Sequence, residues 1–218
     1  MAKVYAVKNG KKVGIFNTWA ECEEQVKGFS GAQFKSFPTI DEAKAYLGIV
    51  SNTIVSTPSN TNSDQIIVYV DGSFNPATNE CGYAAYLLHN QKIKVLYGSF
   101  PMQDGGRNVE GEVKAATEAI NYLTKKPYKD IVIYYDYEGV CKWADKLWKT
   151  NREYTRKYAE YVNSVRNNLN MKIKYSHVES HTGVEGNEIV DKLAKYACKV
   201  EMPKKDQALV EEILSKSI

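Results

Sequence analysis

No stretch of this chain approaches the roughly 20 apolar residues that a membrane-crossing helix needs. The opening residues, MAKVYAVKNGKK, contain no apolar signal core, so the expected location is the cytoplasm. Cysteine is sparse and scattered. Cys22, Cys81, Cys141 and Cys198 make no CxxC pair, which argues against a zinc knuckle or a dithiol redox motif and fits reduced cytosolic thiols. No single sign of charge dominates: a net +3 is too small to imply a polyanionic partner, so the distribution of charge has to be read instead. There is no internal repeat. With 43% hydrophobic and 25% charged residues, the chain reads as an ordinary soluble globular protein.

Charge is also missing from one internal stretch. In IVSNTIVSTPSNTNSD, residues 49–64, no charged side chain occurs before Asp64, and Ser, Thr, Asn and Pro dominate. This is the composition of a flexible linker. It divides the chain into a front segment, 1–48, and a body, 65–200, followed by a tail, 201–218.

The front segment reads strand, turn, strand, helix, strand, helix. KVYAV alternates, Asn9-Gly10 signals a hairpin, and VGIF returns. Thr18 with Glu21 forms a capping box for the next helix. A three-stranded antiparallel sheet with two helices is expected.

In the body, three hairpin-like strands precede alternating helices and strands. That order implies an α/β fold with a five-stranded mixed sheet flanked by helices, antiparallel at one edge and parallel in the remainder. The tail after Pro203 is amphipathic and could form one more helix.

Four acids stand where such a sheet could gather them. Asp71 is expected to end the first strand of the body, IIVYVDGSF. Glu112 is placed in the first turn of the long helix, Asp136 ends the strand IVIYY, and Asp191 lies one turn into the helix IVDKLAKYACK. Each has an ordinary alternative: a turn residue, a helix-dipole partner, a helix cap, a solvated charge. Together they are costly unless cations neutralise them, because adjacent like charges repel. Oxygen ligands without a cysteine or histidine cluster select Mg²⁺ or Mn²⁺ over zinc. Two such ions can clamp the attacking and leaving oxygens of a phosphodiester.

VYVDGSF, NVEGEVKAATEAI, IYYDYEG and SHTGVEGNEIVDKLA, in this order, resemble the type 1 ribonucleases H over about residues 65–200. The resemblance implies a ribonuclease H-like fold and cleavage of the RNA strand of RNA–DNA hybrids, leaving 3′-hydroxyl and 5′-phosphate ends. It implies two Mg²⁺ ions, with Mn²⁺ able to substitute. Asp71 would bridge both, Glu112 and Asp136 would hold one, and Asp191 the other. His181 would assist proton transfer or product departure. Ser73, Asn75 and Asn108 would contact the hybrid, and Asn187 would support the site.

Two departures stand out: the loop PMQDGGRN is unlike the shorter form of many relatives, and no separate basic handle is present. Instead, residues 142–174 carry nine lysines and arginines against three acids, a surface suited to phosphates or simply to water.

The stretch YAVKNGKKVGIFNTWAECEEQVKGFSGAQFKSF resembles the small hybrid-binding, viroplasmin-like domain attached to many type 1 ribonucleases H. Tyr5, Trp19 and Phe34 would offer flat faces to the nucleic acid, and Lys11, Lys12 and Lys35 would meet phosphate. Ser36 stands where the family often has a second lysine. The alternative for the aromatics is a minimal core for a 48-residue domain.

The expected protein is therefore a monomeric, two-domain, Mg²⁺-dependent nuclease with no obligate protein partner. Its rivals are another nuclease of the same fold and a catalytically idle hybrid-binding protein.

Overall fold

The computed structural model describes residues 3–47, 65–179 and 184–218, and these fall into two compact units. The expected linker, 49–64, and His181 lie outside the described residues.

In the front unit, β1 (Val4–Asn9) is flanked by β2 (Gly14–Phe16) and β3 (Gln33–Phe37), both antiparallel to it, giving the order β2-β1-β3. The hairpin at Asn9-Gly10 forms with a longer loop, fastened where the Lys11 N–H donates to the Gln25 carbonyl (2.8 Å). Helix α1 (Trp19–Val26) starts at the expected capping box, with the Thr18 hydroxyl accepting from the Glu21 N–H (3.3 Å) and the Glu21 carboxylate accepting from the Thr18 N–H (3.1 Å). Helix α2 is Ile40–Leu47. Strand alternation sends Val4 and Ala6 into a small core with Phe37 and Ala43.

The larger unit holds a five-stranded sheet in the order β6-β5-β4-β7-β8. Its first three strands, β4 (Gln65–Asn75), β5 (Glu80–His89) and β6 (Lys92–Pro101), form an antiparallel meander. The β5–β6 turn, Asn90-Gln91, has both residues at positive φ, as a tight hairpin requires. Strands β7 (Asp130–Tyr135) and β8 (Lys172–His177) add in parallel beside β4.

Helices α3 (Asn108–Thr124), α4 (Gly139–Ala144) and α5 (Glu153–Leu169) supply residues to one core, and α6 (Glu185–Ala197) and α7 (Lys204–Lys216) to the other. Along β4, Ile66, Val68 and Val70 enter the first core and Ile67 the second. A strand buried on both faces accounts for the unbroken apolar run in the sequence.

The tail is helical. Val210 and Ile213 of α7 are buried. The β6 edge is then covered by two bonds, from the Ile218 N–H to the Ile93 carbonyl (3.1 Å) and from the Val95 N–H to the Ser217 hydroxyl (2.9 Å).

Candidate active site

Register places the first two acids. The parallel pairing of β4 with β7 ends at Tyr69 opposite Tyr134. Two residues further along each chain stand Asp71 and Asp136, on neighbouring strands whose spacing is about 4.8 Å. Asp71 does not end its strand, as the sequence suggested. β4 runs on to Asn75, because β5 keeps pairing with it after β7 has stopped. Asp136 directly follows β7. The N-cap position of α4 falls on Glu138, so the capping alternative for Asp136 is not what the helix uses.

Glycine brings the third acid in. A Cβ on Gly72 would lie 2.1 Å from the Asn108 carbonyl oxygen and 2.2 Å from the Glu112 nitrogen, and one on Gly111 would lie 2.1 Å from the Gly82 carbonyl oxygen. Without side chains at these points, the start of α3 rests on the backbone of β4 and β5. Glu112 is the fifth residue of α3 and almost wholly buried. The first-turn acid is Glu110 instead. Asp71, Glu112 and Asp136 each offer a ligand atom within 4.8 Å of the others.

The fourth acid reaches the same place on α6, which begins at Glu185 rather than near Ile189, so Asp191 lies nearly two turns in. Asn187, Glu188, Asp191 and Lys195 then form one helical stripe along a cleft of about 360 Å³ that Asp71, Ser73, Asn108 and Asp136 also line. Lys195 donates to Asp191 (2.8 Å).

Burial, reinforced by Asp136 and Asp191, pushes the Asp71 carboxyl well above its usual range; the Gly72 N–H (2.6 Å) and Lys195 oppose this. Burial, with Asp71 and Asp136, does the same to Glu112, against the Tyr137 N–H (3.3 Å). The donor set suits a hard divalent cation: oxygen ligands only, crowded, with their charged forms penalised until a cation arrives.

The predicted substrate contacts divide. Ser73, Asn108 and Asn187 line the cleft. Asn187 Oδ1 is buried without a hydrogen-bond partner among the described residues. Asn75 is committed elsewhere: its amide donates to the carbonyls of Cys198 (2.9 Å) and Lys199 (3.1 Å) and its oxygen accepts from the Ala77 N–H (3.0 Å). It ties β4 to the end of α6, a role its motif position did not reveal.

His177, in no motif of the sequence, donates from its ring Nε2 to the Asp136 carbonyl (3.0 Å). Lys195 and the glycines at 72 and 111 were also missed, although DGS and EGE sit inside the recognised motifs.

In the front unit, Trp19 packs between Tyr5 and Phe34 with centroids 5.6 Å from each. Trp19 is 44% and Phe34 41% exposed, so these rings are not the core. Lys11 and Lys12 are exposed in the β1–β2 loop. Lys35 alternates onto the other face, its ammonium 5.6 Å from the Phe37 centroid, while Ser36 pairs with Tyr5 on the aromatic face.

Residues 63–199 match the family model described as RNase H. The chain belongs to the ribonuclease H family. Residues 3–47 match the model described as the ribonuclease H1 N-terminal domain. Human ribonuclease H1 is 26% identical over 262 aligned residues, covering 89% of each chain. A ribonuclease H of Crithidia fasciculata is 60% identical over 43 residues, 20% of this chain and 9% of that one. The crystal structure of RNase H1 from Halobacterium salinarum superposes with a TM-score of 0.52 at 19% identity, over 63% of this chain and 99% of that one, which speaks to the fold. As a ribonuclease H, the protein is a hydrolase, and its acidic cluster could hold metal.

Proposed function

We propose that this ribonuclease H hydrolyses the RNA strand of RNA–DNA hybrids at the acid cleft, with two Mg²⁺ ions held by Asp71, Glu112, Asp136 and Asp191, leaving 5′-phosphate and 3′-hydroxyl ends. The observation that carries this is the gathering of Asp71, Glu112 and Asp136 within 4.8 Å, with Asp191 on the same cleft. When bound, the ions supply Lewis-acid stabilisation of the phosphodiester and a nucleophilic water at neutral pH.

The protein's own residues hold and orient. Asp71 would be shared between the ions, Glu112 and Asp136 would hold one and Asp191 the other. The Gly72 and Tyr137 N–H groups fix the Asp71 and Glu112 carboxylates (2.6 and 3.3 Å). His177 steadies the Asp136 backbone. Ser73 and Asn108 face the RNA strand, whose 2′-hydroxyl separates RNA from DNA. Asn187, whose buried Oδ1 has no partner among the described residues, supports the site from α6. His181 assists proton movement at the leaving group. All these residues belong to one chain, which supports a working monomer.

The front unit grips the hybrid through Tyr5, Trp19 and Phe34, and Lys11, Lys12 and Lys35 supply positive charge for phosphates.

The test compares wild type with Asp136→Asn on a labelled hybrid in Mg²⁺. Loss of cleavage with retained binding is expected. Full cleavage by the variant removes the metal-ligand assignment, and equal cutting of duplex DNA removes the hybrid reading.

A further inference from the structure

The loop before α3, which departs from the shorter family form, is organised around a buried acid that the mechanism does not use. Glu110 is 4% exposed. Its carboxylate accepts from three backbone N–H groups of that loop: Gln103 (2.9 Å), Asp104 (2.9 Å) and Gly106 (2.7 Å). Arg152 donates to the Asp104 carbonyl, and the Cys81 thiol donates to the Arg107 carbonyl (3.1 Å). A surface loop seldom needs so many anchors from so many elements.

They converge on Arg107, which sits at φ 53, ψ −128. That backbone region is close to glycine's preserve, and a side chain there is strained. Such strain persists only where the surroundings over-determine it, and it concentrates at ligand clamps. Arg107 lines the acid cleft, and its guanidinium lies 6.0 Å from the centroid of the Phe74 ring. Among the described residues, no carboxylate pairs with it, although Asp71, Asp136, Glu188 and Asp191 line the same cleft. The other cation there, Lys195, is taken by Asp191 (2.8 Å). Asn187, whose buried Oδ1 has no hydrogen-bond partner among the described residues, lines the same cleft.

We infer that Arg107 is a substrate-binding residue that takes a backbone phosphate of the strand entering the acid cleft, and that Glu110 is its positioning residue, an internal anion that holds the loop in shape. A guanidinium suits a phosphate through paired N–H donors, and packing against a ring limits the side-chain freedom lost on binding. Glu110 lends no charge to the substrate; it acts only through Arg107. The assignment rests on the hybrid-cleaving reading.

The experiment measures binding of the full chain to a fluorescent hybrid by anisotropy in Ca²⁺ across a salt series, with melting temperatures alongside. Arg107→Gly and Arg107→Ala should weaken binding about tenfold and reduce the salt slope by about one unit. Arg107→Gly should also melt no lower than wild type, because glycine relieves the strain; a residue retained only for structure would lose stability. Glu110→Ala should weaken binding to a similar degree, Glu110→Gln less, and combining Glu110→Ala with Arg107→Ala should add nothing further. Wild-type affinity and slope in both Arg107 variants, or additive losses in the double variant, would overturn the inference. If Glu110→Ala fails to fold, the Arg107 pair alone decides. Wild-type protein that neither binds nor cleaves the hybrid would instead remove the functional reading beneath it.

Discussion

As the proposed metal ligands, Asp71 and Glu112 would serve metal binding and stability in opposite senses. Both carboxyls are buried among like charges and lie well above their usual range. A carboxyl raised in the folded state favours unfolding as pH rises, because the unfolded chain releases its proton first. Below the ordinary carboxylate range, near pH 4, the two states are equally protonated and nothing is lost. From there toward neutrality, the metal-free protein should lose stability with each rise in pH. Mg²⁺ should restore it, since a ligand that binds only the folded state stabilises that state. Asp71→Asn should therefore raise the Tm in EDTA by about 2–4 °C, equivalent to roughly 1 kcal/mol, while abolishing cleavage. It should also lose most of the Mg²⁺-induced rise. Calorimetry at several pH values, with and without Mg²⁺, checks this, and a lower Tm for the variant in EDTA would contradict it. In the front unit, Ser36 pairs with Tyr5 on the face of the exposed rings. Ser36→Lys should tighten hybrid binding several-fold at low salt, by the gain of one phosphate contact; an unchanged Kd would detach the aromatic face from nucleic acid.

At the scale of elements, the site depends on how closely α3 lies on the sheet. Alanine has the better helix propensity, by about 1 kcal/mol, so Gly111→Ala should stabilise α3 if propensity decided. The added Cβ would stand 2.1 Å from the Gly82 carbonyl oxygen, and backbone cannot yield as a side-chain tip does. Overpacking should win, costing about 2–3 kcal/mol, and a shift of Glu112 by about 1 Å should slow cleavage about 100-fold. Urea melts and single-turnover rates measure both, and a more stable, fully active variant would show that the contact is slack. The same contact marks what could be read from sequence. The order of the four acids along the chain, the mixed sheet and the capping box at Thr18 and Glu21 follow from local pattern, because alternation, turn chemistry and motif order are local. What was not legible is where a residue's polar atoms end up. Asn75 occupies a substrate-like motif position, yet both of its donors go to the end of α6. Lys35 neighbours Phe34 in sequence but stands on the opposite face, since successive residues of a strand point apart. Asp71 seemed to end its strand because a carboxylate interrupts an apolar run; the antiparallel neighbour carries the strand on to Asn75. Glu110 drew no reading from the sequence, because the backbone N–H groups that its carboxylate accepts come from the fold of the preceding loop.

The whole molecule joins an acid cleft to a small aromatic and basic surface in a second compact unit. Affinity that comes from backbone contacts depends on salt and on how many phosphates are reached at once. A cleft full of carboxylates is poorly suited to hold a polyanion alone. Among the described residues, Arg107 and Lys195 are the cations lining it, and the second is already paired. Residues 49–64, the expected linker, lie outside the described residues; a flexible chain of 16 residues would span about 20–24 Å. Binding by the front unit would then hold the hybrid near the cleft at a raised effective concentration. Deletion of residues 1–48 should weaken binding to long hybrids by about 10- to 100-fold and reduce the number of cuts per encounter. On short hybrids at saturating concentration, kcat should remain within about twofold of wild type, because the acids and their supports all lie beyond the tether. The steady-state split between KM and kcat, measured on short and long hybrids at two salt concentrations, separates grip from chemistry. Equal KM values for the full and truncated chains on long hybrids would leave the front unit without this role. A fall in kcat on short hybrids would instead make it part of the catalytic machinery.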